Sequence, residues 1–130
     1  MGSNHGSQEE KRLRILVVDD SATMRLSLVG VLSMQFDAIS CASGKEALDH
    51  LAAGQFDLVL TDWEMPEMDG VSLVQNIREA HPQVQCLILS GNVAELQGRL
   101  KDSGIEAVST LSKSTPPQTL IEQLLAVSPG

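Results

Sequence analysis

The sequence predicts an α/β protein built on one five-stranded, parallel, doubly wound sheet with helices on both faces. Short apolar runs alternate with amphipathic segments five times along its 130 residues. The apolar runs are too short for helices and are bounded by Gly, Pro, Asp and Ser, which is typical of buried strands. Strands that alternate with helices form βαβ units, and right-handed crossovers then cover both faces of a parallel sheet.

The composition agrees with one compact domain. Apolar residues make up 42% of the chain and the mean hydropathy is +0.02, values that suit neither a disordered chain nor a membrane protein. No apolar stretch approaches the roughly 20 residues of a membrane-spanning helix. The net charge of −8 argues against a basic surface that would bind nucleic acid. We expect the domain to occupy residues 11–130, and residues 1–10, which show no periodicity, to be a tag or a disordered leader.

The two cysteines, Cys41 and Cys86, lie inside apolar runs. We interpret them as two small buried side chains rather than as a disulfide. Reduced thiols and the lack of a signal peptide favour the cytoplasm.

The predicted strands are the short apolar runs, and the third of them is the central strand. Their ranges are 13–18, 37–42, 58–61, 84–89 and 105–111. The second alternates apolar and polar residues, and the fifth is a poor strand by composition.

The predicted helices repeat apolar residues at helical spacing, over 24–34, 44–53, 71–80, 93–101 and 116–127. Ser21 or Thr23 is a suitable N-cap for the first helix. Gly54 ends the second, and Gly98 weakens the fourth from within. Pro116 opens the last helix, where proline is tolerated in the first turn.

Polar side chains follow the first, third, fourth and fifth strands: Asp19, Asp20, Asp62, Ser90 and Lys113. The carboxyl ends of parallel strands meet at one rim of the sheet, where ligands bind in open α/β folds. Three carboxylates at one rim repel each other, and a divalent cation with oxygen ligands compensates that repulsion. The cluster therefore predicts a Mg²⁺ site.

A carboxylate beside Mg²⁺ can act as a nucleophile toward phosphorus, in a reaction that needs mainly positioning and charge stabilisation. Asp62 is the best candidate because it ends the central strand, between the metal side and the lysine side of the rim. Lys113 would supply a point cation and Ser90 a hydroxyl donor.

Four segments together resemble the receiver domain of two-component response regulators over residues 14–125. They are LVVDD (16–20), TDWEMPEMDG (61–70), LILSG (87–91) and Lys113, and DDSATMR and DWEMP are most similar to chemotaxis-type receivers. The resemblance implies a flavodoxin-like (βα)5 fold. It also implies a phosphoprotein of two-component signalling or a phosphorelay, whose only chemistry is its own aspartyl phosphorylation and dephosphorylation.

The resemblance also assigns roles to the rim residues. Asp62 would accept a phosphoryl group from a histidine kinase. Mg²⁺ would be bound by Asp62, by Asp20 directly, by Asp19 through water and by the backbone carbonyl of Glu64. Ser90 would be the switch hydroxyl and Lys113 the phosphate-binding lysine. The partners expected are the kinase and either a downstream protein or a fused output domain.

The last strand departs from the family pattern. Residues 105–112 contain no aromatic side chain, Lys113 is followed by Ser114 instead of proline, and the interval from Gly104 to Lys113 is longer than usual. Without the aromatic, Ser90 and the loop around Asn92 must carry more of the response to phosphorylation. A carboxylate at Glu64 borders the path of attacking water, which suggests an altered phosphoryl lifetime.

Other interpretations remain at this stage. Asp19 and Asp20 could serve a helix N-terminus, Ser90 could cap the following helix, and Lys113 could be a solvated surface charge. A pseudo-receiver would keep the fold and bind partners independently of phosphorylation. A Mg²⁺-dependent phosphohydrolase would need a separate general acid, for which Glu64 is the only candidate.

Overall fold

A computed structural model describes residues 12–128 of the chain. The strands are β1 (Arg14–Val18), β2 (Asp37–Cys41), β3 (Leu58–Asp62), β4 (Gln85–Ser90) and β5 (Ser109–Ser112). The helices are α1 (Ala22–Leu32), α2 (Gly44–Ala53), α3 (Gly70–Ala80), α4 (Val93–Asp102) and α5 (Pro117–Val127). The leader expected at residues 1–10 lies outside the described residues.

All five strands are parallel and form one sheet in the order β2-β1-β3-β4-β5. The chain moves from β1 outward to β2 and then returns to the other side of β1 for β3. The strand order therefore reverses between β1 and β3, which is the point where open α/β sheets bind their ligands. The five β-α units and the doubly wound parallel sheet predicted from the sequence are confirmed.

Alternate residues of the central strands enter two separate apolar cores. On one face, Leu16 of β1 and Val59 of β3 pack with α2, α3 and α4. On the other, Val17 and Leu60 pack with α1 and α5. Because both faces of β1, β3 and β4 are covered, their sequences are nearly continuous apolar runs.

Two predicted boundaries differ at the first helix. The helix begins at Ala22, after the N-cap Ser21, whose Oγ accepts a hydrogen bond of 3.3 Å from the Met24 amide. It ends at Leu32 instead of residue 34, because the following turn carries Phe36 into the core, where it is fully buried.

The prediction that the fifth strand begins at residue 105 was wrong. β5 covers only Ser109–Ser112, and the segment before it is not extended, because Ala107 has a φ of 60°. The guanidinium of Arg78 on α3 donates hydrogen bonds to the backbone carbonyls of Glu106 and Ala107. These two carbonyls therefore accept from a side chain and not from a neighbouring strand. This contact joins residues that are far apart in the sequence, so local pattern does not reveal it.

Both cysteines are free and buried, as the sequence predicted. Burial raises the pKa of the Cys41 thiol to about 11 and that of Cys86 to about 12. Within residues 12–128, no helix has the length and apolarity that crossing a bilayer requires.

Candidate functional site

The ends of β1 and β3 bring two carboxylates together at the switch point of the sheet. Val18 is paired with Thr61, so the next residue on each strand, Asp19 and Asp62, stand side by side. The Asp19 amide continues the ladder by donating to the Cys41 carbonyl at 3.2 Å. The positions of both carboxylates thus follow from strand register.

Asp19, Asp20 and Asp62 form one acidic cluster, and each offers a carboxylate oxygen within 4.8 Å of those of the other two. Asp19 is 2% exposed and Asp62 is 4% exposed, whereas Asp20 faces solvent. Carboxylates are rarely buried unless they are paired or bind a metal. The structure thus brings together the three acidic residues that the sequence analysis predicted at one rim of the sheet.

Asp19 is held by its own loop. Its Oδ1 accepts a hydrogen bond of 2.9 Å from the Ser21 amide, and Arg25 donates to its backbone carbonyl at 2.8 Å. Burial raises the pKa of the Asp19 carboxyl, and the charge of Asp62 adds to that rise, while the Ser21 amide opposes it. The helix-terminus role considered from the sequence belongs to Ser21, which is the N-cap of α1.

Lys113 approaches Asp62 from the side of β4 and β5, whereas Asp19 approaches it from the side of β1. Ser90 pairs with Ser112, and the Lys113 amide donates to the Ser90 carbonyl at 2.9 Å, which places Lys113 at the rim. Its Nζ is 2.9 Å from Oδ1 of Asp62. Burial tends to lower the pKa of the ammonium, but the Asp62 carboxylate, followed by Asp19 and Glu64, outweighs this, and the pKa is raised.

Oδ1 of Asp62 is buried and accepts no hydrogen bond from any described residue. The ammonium of Lys113 forms an ion pair with this oxygen at 2.9 Å. A buried carboxylate oxygen without a donor is costly, and a cation at the same place would compensate it.

Ser90 is buried at the end of β4. Its Oγ accepts a hydrogen bond of 2.8 Å from the Asn92 amide, and Asn92 in turn accepts from the Glu95 amide as the N-cap of α4. Asn92, not Ser90, therefore caps the helix. The Ser90 hydroxyl keeps its own hydrogen for donation to a group at the rim.

The loop from Trp63 to Asp69 closes against the end of β3. The Trp63 amide donates to Leu89 O at 2.9 Å, and the Gly70 amide donates to Trp63 O at 2.8 Å. A Cβ at Gly70 would stand 2.4 Å from the backbone oxygen of Asp62, so only glycine allows this approach. The sequence gives no sign of this role for Gly70, because a contact across the loop leaves no local signal.

The remaining loop residues include Glu64, whose side chain is exposed and whose charge acts on Lys113. The metal-binding role of its carbonyl stays a prediction. Asp69 caps α3 by accepting from the Ser72 amide at 2.8 Å, and its second oxygen is 3.7 Å from Arg99 of α4. The sequence analysis did not predict this link between the loop and α4.

The donor set fits Mg²⁺. It consists of oxygen atoms only, from three carboxylates at one rim, with one buried oxygen that lacks a hydrogen bond. Mg²⁺ prefers oxygen ligands and uses one or two carboxylates together with water and phosphate oxygens. Asp19, Asp20 and Asp62 are the residues that would hold it.

Residues 15–125 match the sequence profile of the family described as the response regulator receiver domain. The chain belongs to this family. Receiver domains are regulatory domains of two-component signalling, so this chain is a signalling domain. The resemblance and the fold class drawn from the sequence are both confirmed.

Relatives of this receiver domain include chemotaxis proteins. CheY-3 of Vibrio cholerae is 44% identical over 70 residues, which cover 52% of this chain and 54% of CheY-3. A protein-glutamate methylesterase/protein-glutamine glutaminase of Geobacillus kaustophilus is 34% identical over 113 residues, which cover 85% of this chain and 32% of that protein. The chain thus spans about half of the first relative and a third of the second.

Solved structures show the same fold. Chemotaxis protein CheY4 of Vibrio cholerae superposes with a TM-score of 0.80 at 26% identity, covering 89% of this chain and 98% of CheY4. The receiver domain of an HD domain-containing protein from Pseudomonas fluorescens has a TM-score of 0.78 at 26% identity, covering 90% and 94% of the two chains.

Proposed function

We propose that the domain is a phosphoacceptor switch in which Asp62 takes a phosphoryl group from a histidine kinase. The observation that carries this proposal is the setting of Asp62: a buried carboxylate with one oxygen that accepts no hydrogen bond, 2.9 Å from the Lys113 ammonium and beside two further carboxylates. This setting supports a nucleophile that needs a cation and meets a developing phosphate charge.

In the proposed transfer, a carboxylate oxygen of Asp62 forms a bond to phosphorus. The P–N bond to the kinase histidine breaks, and the histidine nitrogen keeps the electron pair of that bond. Lys113 stays protonated, as its raised pKa requires, and its ammonium faces the added phosphoryl oxygens. A bound Mg²⁺ would neutralise negative charge on the phosphoryl oxygens. Hydrolysis of the acyl phosphate by water would return the carboxylate.

Ser90 is the residue best placed to report the modification. Its Oγ already accepts from the Asn92 amide, and its hydroxyl hydrogen can be donated to a phosphoryl oxygen on Asp62. Movement of Ser90 toward the phosphoryl group would shift the N-terminus of α4, which Asn92 caps. A downstream protein or a fused output domain would then read the change, because a phosphoryl group acts through different contacts in the two states.

The pseudo-receiver alternative requires no particular arrangement at the rim. A pure binding module has no use for a buried carboxylate beside a lysine and two acidic neighbours, since such a cluster lowers stability. The geometry therefore supports the phosphoacceptor more than constitutive binding.

The proposal is tested by intact mass after incubation with a small phosphodonor, with and without Mg²⁺. We expect the gain of one phosphoryl group, only with Mg²⁺, and no gain in Asp62→Asn. Asp69→Asn is the matched control, because asparagine is also a good N-cap and the variant removes one loop carboxylate without touching the rim. Equal labelling of wild type and Asp62→Asn, or no labelling of wild type, would exclude the proposal.

A further inference from the structure

The strand that carries Lys113 to the rim holds its own register weakly. β5 is an edge strand that pairs with β4 alone, and three of its four residues have hydroxyl side chains. Its one apolar residue, Leu111, is only partly buried. Register is strongly specified where a strand buries an apolar face, and weakly specified where both faces are polar. The pairing of β5 with β4 therefore contributes little to fixing the register.

The position of Lys113 depends on that register. Ser112 pairs with Ser90, and the Lys113 amide donates to the Ser90 carbonyl. A slip of one residue would move the backbone at Lys113 by about 3.3 Å and turn its side chain to the other face of the sheet. The ammonium would then lose its contact of 2.9 Å with Oδ1 of Asp62. A constraint outside the β4–β5 ladder is therefore required to keep Lys113 at this carboxylate.

The connection from α4 to β5 contains a bend directly before the strand. Ile105 and Val108 of this connection pack against the core beneath α2, α3 and α4, while Glu106 and Ala107 between them are exposed. The chain bends at Ala107, whose φ of 60° is unfavourable for a residue with a Cβ. An extended conformation at Ala107 would lengthen the connection and push β5 along β4. The register of β5 thus depends on whether this bend is kept.

Arg78 of α3 holds the bend from outside the connection. Its Nη1 donates to the carbonyl of Glu106, and its Nη2 donates to that of Ala107 at 3.0 Å. The planar guanidinium presents donors in a fixed fork, so one side chain orients both carbonyls at once. α3 supports this contact firmly, because Val74 and Ile77 on its inner face are fully buried. Arg78 thereby compensates the unfavourable backbone conformation at Ala107.

We propose that Arg78 is a positioning residue for phosphoryl transfer: by holding the bend at Ala107 it fixes the register of β5 and keeps Lys113 against Asp62. This inference rests on the proposed function, in which the Lys113 ammonium faces the phosphoryl oxygens. Arg78 hydrogen-bonds to the connection before β5 and not to the residues of the rim, so it acts through the strand. It adds a residue from the opposite end of β5 to those on which the reaction depends.

Amide hydrogen exchange of the unphosphorylated protein tests whether Arg78 fixes the register. The Lys113 amide of an edge strand exchanges through local opening, which responds to Arg78 only if that opening releases the Arg78 contact. We expect Arg78→Ala to speed exchange of the Lys113 amide about tenfold, which corresponds to the loss of two hydrogen bonds of modest strength. The amides of β2, the other edge strand, serve as the internal reference and should keep their local exchange rates.

Arg12→Ala is the matched control. Arg12 also donates to a backbone carbonyl, that of Ser33, in the connection that precedes the other edge strand. The two substitutions are therefore chemically the same and act at opposite edges of the sheet. Arg12→Ala should leave the Lys113 amide at its wild-type rate. Arg78 is exposed, so Arg78→Ala keeps the buried face of α3 and the fold.

The rate of labelling by a small phosphodonor with Mg²⁺ tests whether Arg78 acts through Lys113. We expect Arg78→Ala to slow labelling by about twofold or more in the wild-type background. In Lys113→Ala the same substitution should have no further effect, because the lysine that it positions is absent. A residue with a purely structural role would slow labelling equally in both backgrounds.

Two results would overturn the proposal: an unchanged exchange rate of the Lys113 amide in Arg78→Ala, or equal slowing of labelling with and without Lys113. A wild type that is not labelled at all would instead exclude the proposed phosphoacceptor function. The exchange of the Lys113 amide would then still decide whether Arg78 fixes the register of β5, because that measurement uses the unphosphorylated protein.

Discussion

At the scale of single residues, the site depends on how Asp62 is compensated. Its carboxylate is almost fully buried, and the nearest positive group is the ammonium of Lys113, which is 33% exposed. Asp19 and Asp20 act in the opposite sense, since their charges disfavour a further carboxylate nearby. The balance between one lysine and three acids therefore affects stability and, in the proposed function, the reactivity of Asp62.

Replacing Lys113 with alanine leaves the Asp62 carboxylate without its ion pair. We expect the free energy of unfolding at neutral pH to fall by about 1 kcal/mol, less than for a fully buried pair because the lysine is partly solvated. Urea denaturation measures this. Lys45→Ala removes a lysine from the exposed pair with Asp49 and should change stability by less than about 0.5 kcal/mol. Equal effects of the two variants would contradict the assigned contact.

The raised pKa of Asp19 determines the direction in which the stability of the domain changes with pH. A carboxyl whose pKa in the folded state lies above its ordinary value of 3.8 takes up a proton more readily when folded. Without metal, stability should therefore increase relative to Asp19→Asn as the pH falls from neutral through this raised pKa. Urea denaturation of both proteins at several pH values gives the difference, and a difference that is flat or opposite in slope would contradict it.

At the scale of elements, the β3–α3 loop contains backbone strain that could not be predicted from its sequence. Glu67 has a φ of 71°, in the left-handed region that favours glycine, and Gly70 is pressed against the backbone of Asp62. The loop needs both features in order to close over the end of β3. The positive φ of Glu67 places a backbone cost near Asp62, the proposed phosphoacceptor.

Substitution of Glu67 by glycine should relieve that cost. We expect a gain of up to about 1 kcal/mol in unfolding free energy, because glycine adopts positive φ without a Cβ clash. Glu64→Gly makes the same chemical change at a neighbouring position whose φ is not positive, and it should reduce stability. Thermal unfolding of the two variants distinguishes them. A loss in both would show that Glu67 is not strained.

The elements also show where sequence reasoning succeeds. The acidic rim was predictable because Asp19 and Asp62 stand at the ends of two apolar runs, and parallel strands bring their ends together. The start of β5 was not, because it depends on the contact of Arg78 with the carbonyls of Glu106 and Ala107. The role of Gly70 was hidden for the same reason.

At the scale of the whole molecule, the two layers of helices differ in character. The layer of α2, α3 and α4 is charged, and the proposed response to phosphorylation runs through Ser90 into this layer at α4. The layer of α1 and α5 has only one charged residue in each helix. The five-stranded, parallel, doubly wound sheet was predictable from the alternation of strands and helices, but the assignment of the helices to the two layers required the packing that the structure provides.

Metal binding should stabilise the whole domain. Mg²⁺ at a concentration 100 times its dissociation constant adds about 2.7 kcal/mol if it binds only the folded state. We expect the melting temperature to rise with Mg²⁺ in wild type and in Asp49→Asn, which removes an exposed carboxylate from α2. Asp20→Asn should lose most of the rise. A similar rise in all three proteins would place the ion elsewhere.

The most direct test of the central claim is to locate the phosphoryl group. The protein is phosphorylated with a small phosphodonor and Mg²⁺ and then reduced with borohydride, which converts an aspartyl phosphate into homoserine. Peptide mass spectrometry identifies the position. The account predicts homoserine at position 62 and nowhere else. Homoserine at position 19 or 20, or a stable phosphate on Ser90, would contradict it.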